Sequence, residues 1–161
     1  MLGIFLAAVI ALGSVITPRF VGDTGQYRTR IVENVDMIII HRNSMGETPE
    51  EIRKALLRDP ETRRYIGYKF PYHFVVTPEG TVYQTLPLDV VAPHAKGYNT
   101  RSFGIAMIGD FRMESCTDAA FEGIRNLIRE LTSQYDIPLG RVFGHTELPN
   151  ATNWTNHTCP G

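Results

Sequence analysis

Met37-Ile38-Ile39-Ile40, closed at once by His41, restricts the fold more than any other stretch of this chain. The run is too short for a helix and lacks the alternation of a strand with one wet face, so it reads as a central strand buried on both sides. Thr48-Pro49-Glu50-Glu51 then brings together an N-cap, a proline at the first helical position and a glutamate at the third. These are the elements of a capping box, and a helix is expected from Pro49 to about Arg58. Tyr72 to Val76 and Thr81 to Gln84 flank the turn signal Pro78-Glu79-Gly80, which predicts an antiparallel hairpin. Ser102 to Ile108 reads as a further strand and Arg141 to Gly144 as a short last one, with an irregular tail from His145 onward. Between them, Phe121, Ile124, Leu127, Ile128, Leu131 and Tyr135 recur at three- and four-residue steps. That spacing predicts a helix over Thr117 to Tyr135 with the whole stripe in the core. The order of elements gives an α/β class: one domain with a central mixed sheet flanked by helices.

Length and charge narrow the functions. A chain of 161 residues supports one well-packed core and not two ordinary domains. Its apolar fraction of 43% and charged fraction of 20% are those of a globular protein. With 16 Lys and Arg against 17 Asp and Glu, it has no electrostatic footprint for a nucleic-acid backbone, and no nucleic-acid partner is expected. Two cysteines, Cys116 and Cys159, are too few for a disulfide scaffold.

The N-terminus stands apart. From Leu2 to Ile16 the chain is uncharged and apolar all round, over about 15 residues against the ~20 of a spanning helix. The length suits a secretory apolar region or a marginal membrane anchor, and the alternative is a buried helix of the domain itself. Thr17-Pro18 stops any helix there, and Gly22-Asp23-Thr24-Gly25 follows as a polar loop. The expected organisation is therefore residues 1–18 as signal or anchor, 19–35 as linker or N-terminal extension, and 36–161 as the main domain.

Among five histidines, His41 ends the buried strand and His145 follows the short last strand, with Cys159 further along the tail. Strand ends beside loops are where sheets present functional side chains. Two imidazoles and a thiolate make a chemically sound zinc set that leaves a fourth tetrahedral position open for water. On spacing alone, three unrelated residues remain the simpler reading. His73, between Tyr72 and Phe74, faces opposite to both by strand alternation and reads as structural. Glu147 is either the partner of a ligand imidazole or a solvated carboxylate, and Trp154 either stacks on a sugar or packs the tail.

Six blocks stand in one order: Ile38-Ile39-Ile40-His41, Tyr72-His73-Phe74 with Gly80-Thr81-Val82, His94-Ala95-Lys96-Gly97-Tyr98-Asn99, Gly104-Ile105 to Gly109-Asp110-Phe111, Gly144-His145 and Cys159-Pro160-Gly161. Together they resemble the type 2 N-acetylmuramoyl-L-alanine amidases, a fold shared with amidase-type phage lysozymes and peptidoglycan recognition proteins. The resemblance runs from about Asp36 to Gly161. It implies a zinc amidase that cuts the bond between N-acetylmuramic acid and L-alanine, with His41, His145 and Cys159 as zinc ligands. It also implies that Tyr72 faces the metal-bound water, as in the phage-like members, and that His157 sits where relatives carry lysine or threonine beside the scissile carbonyl. His94 and Asn99 fall in the block that lines the substrate groove. Ala106 stands where some relatives place a proton-accepting glutamate, so the tyrosine arrangement is the better analogy. The implied partner is peptidoglycan, both glycan strand and stem peptide. A monomer is expected, with membrane contact through the N-terminal segment and a location exported or anchored facing the wall, a cytoplasmic phage lysin being the other placement. The competing class is a recognition module without hydrolysis; silent relatives usually lack a ligand at the place of Cys159, so its presence favours the enzyme.

Overall fold

The computed structural model describes residues 16–18, 27–58, 70–149 and 159–160. Strands β1 (Ile16–Pro18), β2 (Met37–Asn43), β3 (Phe74–Val76), β4 (Val82–Gln84), β5 (Ser102–Ile108) and β6 (Val142–Gly144) form one mixed sheet in the order β1-β4-β3-β5-β2-β6. β2 lies parallel to β5 on one side and to β6 on the other, β3 is parallel to β5, and β3 and β4 form the antiparallel hairpin. Ile38 and Ile39 point to opposite faces, yet both are 0% exposed, which is why the run carries no polar alternation.

The two faces are covered differently, and this asymmetry positions the site. Helix α2 (Asp118–Gln134) covers one face, where Leu127 and Leu131 pack with Ile38, Phe103 and Ile105. On the other face Met37 and Ile39 pack with Ala95 and Leu148, which belong to connecting segments. Helix α1 (Pro49–Arg58) contributes Ile52 to a third cluster with Phe70, Val75 and Ala106. Loops are thus free to bring polar side chains over the β2 end on this second face.

Thr117 caps α2 through its hydroxyl, which accepts from the Ala120 N–H at 3.1 Å, as its position before the apolar stripe predicts. Phe121 departs from the expected stripe and is 57% exposed. The buried line is Ala120, Gly123, Ile124, Leu127 and Leu131. Its rotation is set by close approach to the hairpin: a Cβ on Gly123 would lie 2.6 Å from the Gly80 carbonyl oxygen, and Gly80 itself turns at φ +82°. Small residues must face the turn, so Phe121 swings to the flank.

Residues before β2 join the packed body. β1 lies parallel to β4, and the Tyr27 hydroxyl donates to the Phe70 carbonyl at 2.9 Å. Arg30 donates to the carbonyls of Leu88 (3.0 Å), Asn99 (2.9 Å) and Ser102 (2.7 Å), with its guanidinium 5.1 Å from the centre of the Phe103 ring. Burial lowers its pKa to about 10. Arg30→Ala leaves those three carbonyls short of a donor and is expected to lower the unfolding free energy by about 3 kcal/mol. Urea denaturation checks this, as a fall in midpoint at unchanged slope. Among the described residues no helix is long and apolar enough to cross a membrane. Of the apolar run Leu2 to Ile16, only Ile16 lies within the described residues.

Candidate metal centre

Parallel register brings the first two ligand candidates together. Ile40 of β2 pairs with Gly144 of β6, so the next residues along the two chains, His41 and His145, emerge side by side with ring centres 4.6 Å apart. Gly144 is required there because a Cβ would lie 2.7 Å from Cδ of Pro160, which crosses the strand end. Thr146 tethers that crossing segment, its backbone N–H and its hydroxyl each donating to the Cys159 carbonyl at 2.9 Å. Cys159 Sγ accepts the Arg42 N–H at 3.5 Å and stands 3.8 Å from His41 Nδ1. The ligand atoms of His41, His145 and Cys159 all lie within 4.8 Å of one another.

This donor set fits a tetrahedral zinc ion. Bond lengths of ~2.1 Å to nitrogen and ~2.3 Å to sulfur imply a nitrogen–sulfur edge of roughly 3.6 Å, close to the observed Sγ to Nδ1 separation. Burial, reinforced by His94 and His145, holds the His41 pKa well below its ordinary value, and burial also lowers that of His145. Both imidazoles thus present lone pairs. Burial raises the pKa of the Cys159 thiol, opposed by the Arg42 N–H and guanidinium. A cation that takes the thiol proton's place relieves the cost of forming a buried thiolate.

Tyr72 lies over this centre, its ring 5.3 Å from that of His41 and 6.0 Å from that of Phe70. Burial pushes its hydroxyl from the ordinary 10 up to about 12, further still from ionisation at neutral pH. The side chain of Asn43 adjoins that hydroxyl. Asn43 Oδ1 accepts the Met45 N–H at 2.8 Å. Asn43 was legible in principle: two residues beyond His41 on a strand, it shares the face of His41.

Of the groove residues expected from the sequence, His94 touches the centre and Asn99 holds its loop. His94 is 8% exposed, with Nδ1 3.1 Å from His41 Nε2 and Nε2 3.2 Å from Ser102 Oγ. Asn99 Oδ1 accepts the N–H groups of His94 (3.1 Å) and Ala95 (2.6 Å), which holds the loop in shape. Ser102, which sequence reasoning passed over as the first residue of a strand, completes this buried layer. His73 is fully buried; its Nδ1 accepts the Gly104 N–H at 3.0 Å, and Nε2 stands 3.1 Å from the Val90 carbonyl. Glu147 Oε2 accepts the Gly144 N–H at 2.6 Å, one residue before His145. His157 and Trp154 lie outside the described residues.

The family model described as N-acetylmuramoyl-L-alanine amidase matches residues 32–161. The chain belongs to the N-acetylmuramoyl-L-alanine amidase family. Within that family, the solved endolysin amidase LysCS from Clostridium intestinale URNW is 28% identical with a TM-score of 0.69, over 92% of this chain and 90% of that one. The endolysin of Klebsiella phage KP32 is 35% identical over 69 residues, 40% of this chain and 46% of the phage protein. Peptidoglycan-recognition protein SC2 of Drosophila melanogaster is 28% identical over 89 residues, 52% of this chain and 48% of its own length. The aligned part thus spans about half the length of these last two relatives. The six-stranded mixed sheet with flanking helices is the architecture of the amidase family's solved members.

Proposed function

We propose that this amidase-family chain is a zinc-dependent N-acetylmuramoyl-L-alanine amidase that hydrolyses the bond between the lactyl group of N-acetylmuramic acid and L-alanine of the stem peptide. The observation that carries the reading is the convergence of His41, His145 and Cys159 within 4.8 Å beside Tyr72. An amide is a poor electrophile, so its hydrolysis near neutral pH needs both an activated nucleophile and a positive centre for the developing oxyanion. When bound, zinc supplies Lewis acidity and lowers the pKa of water at the open position to about 7.

The chain's own groups do the rest. His41 and His145 bring neutral nitrogen lone pairs and Cys159 a thiolate, which together leave net positive charge at the centre. Tyr72, protonated at neutral pH, donates to the substrate carbonyl oxygen as it becomes anionic. His157, by its place in the family pattern, is a second donor and protonates the leaving amine. His94 and Asn99 shape the groove from beneath through the loop they hold. Peptidoglycan is the partner, bound by a monomer.

Purified peptidoglycan digested with zinc-loaded protein is expected to yield new L-alanine amino termini, and none after chelation. Binding to the wall with no new termini would instead identify a recognition module. Cys159 favours the enzyme, because it completes a ligand set that recognition alone does not use.

For the N-terminus we propose an exported or membrane-anchored location through the apolar part of residues 1–18 that precedes β1, with 19–35 as an extension of the amidase domain at 36–161. Deleting residues 1–15 spares β1, Tyr27 and Arg30, and is expected to keep the fold and shift the protein from the membrane fraction to the soluble one. An unfolded truncation would support the buried-helix alternative.

A further inference from the structure

We propose that His94 and Ser102 are positioning residues that hold His41 in the one tautomer whose Nδ1 lone pair faces the metal centre, the direction of the chain being dictated by the backbone carbonyl of Tyr98. The inference deepens the zinc reading and depends on it only for the purpose of the tautomer.

The Tyr98 carbonyl sets the direction of the chain, because a carbonyl oxygen can only accept. Ser102 Oγ lies 2.7 Å from the Tyr98 oxygen, so the single hydroxyl proton points there. At its other contact, 3.2 Å from His94 Nε2, the serine oxygen must then accept, and Nε2 carries a proton. His94 is buried at 8% exposure, and a second proton would place an unpaired charge in that interior, so the ring carries one proton. Its Nδ1 is therefore a lone pair, and at 3.1 Å it accepts from His41 Nε2–H. His41 is 3% exposed, so it too carries a single proton, and with that proton on Nε2 its own Nδ1 is the unprotonated nitrogen. That nitrogen is the one 3.8 Å from Cys159 Sγ.

The surroundings hold each member in register. Ser102 is fully buried at the start of β5, and the His94 backbone is clamped by Asn99 Oδ1. The ring fits only because residue 104 is glycine, where a Cβ would lie 2.6 Å from His94 Cγ. Ligand histidines generally have their second N–H fixed by a carboxylate, carbonyl or water. Here the acceptor is a second imidazole, which can itself take either tautomer; without Ser102 the chain loses its direction, and His41 is free to protonate the nitrogen that zinc needs.

The test uses the full chain labelled with nitrogen-15, without metal and loaded with zinc, and reads the imidazole tautomers by long-range proton–nitrogen NMR. In the wild-type protein without metal, His41 is expected already as the Nε2–H form. Ser102→Ala is expected to mix the His41 tautomers and to weaken zinc binding about 10-fold or more in chelator competition. His94→Leu is expected to do the same, whereas His94→Gln, whose amide can accept from His41 and donate to Ser102, is expected to recover most of the affinity. An Nδ1–H tautomer of His41 in the metal-free wild-type chain overturns the proposal whatever the variants do. So does a folded Ser102→Ala protein with unchanged tautomer and unchanged affinity. Both readouts are independent of hydrolysis, so a chain with the expected tautomer and no amidase activity would count against the proposed function alone.

Discussion

Cys159→Ser is expected to abolish zinc retention and, with it, amide hydrolysis. The substitution isolates donor chemistry: the segment stays tethered by Thr146 to the residue 159 carbonyl, and a serine oxygen can still meet the Arg42 N–H. A neutral hydroxyl, however, is a far weaker zinc ligand than a thiolate. Loss of a group that merely orients a ligand costs 10- to 100-fold in metal affinity, so loss of the ligand itself should cost at least about 100-fold. Metal analysis after dialysis, with chelator competition, measures it, and circular dichroism shows that the fold persists. Unchanged affinity would mean that the metal is held by a different set.

Tyr72→Phe is expected to keep zinc and lose turnover. The ring's packing against Phe70 and His41 survives the change, and no ligand is touched. What disappears is a protonated donor, its hydroxyl pushed by burial up to about 12. Removing one oxyanion donor costs on the order of 10²–10³ in kcat, and the loss should fall on kcat with a modest change in KM. His157→Ala is expected to behave alike. Wild-type rates in Tyr72→Phe would remove the tyrosine from the mechanism, while wild-type rates in His157→Ala alone would move the leaving-group proton to another donor. Zinc content must accompany both rates, since a lost metal mimics a lost catalyst.

Much of the scaffold was legible because it rests on local signals. The capping elements Thr48-Pro49-Glu50-Glu51 precede α1, Thr117 caps α2, the strand expected over Ser102 to Ile108 is β5, and Pro78-Glu79-Gly80 turns the hairpin. The unalternating run Met37 to Ile40 lies in the interior of the sheet, flanked by β5 and β6. Helix periodicity was less decisive at Phe121: an apolar stripe specifies a face only to within a residue or so, and the contact of Gly123 with Gly80 chose the rotation.

The candidate ligands were named from the sequence because chemistry limits which residues hold zinc and the order of blocks matches a family. Their meeting was a tertiary event, made by the Ile40 to Gly144 register and the crossing of Pro160 over the strand end. Tertiary structure alone decided the rest of the centre. Arg30 and Tyr27 join the core from a stretch with no periodic signal, and Asn43 meets Tyr72. The buried His94 ring meets that of His41. Where a polar residue's partner lies far away in sequence, as for Arg30 with Ser102 and Cys159 with His41, residue type carries no record of which distant group it will meet. Sequence therefore determined the donor types and the elements that bear them, and only the folded chain decided which nitrogen faces which neighbour.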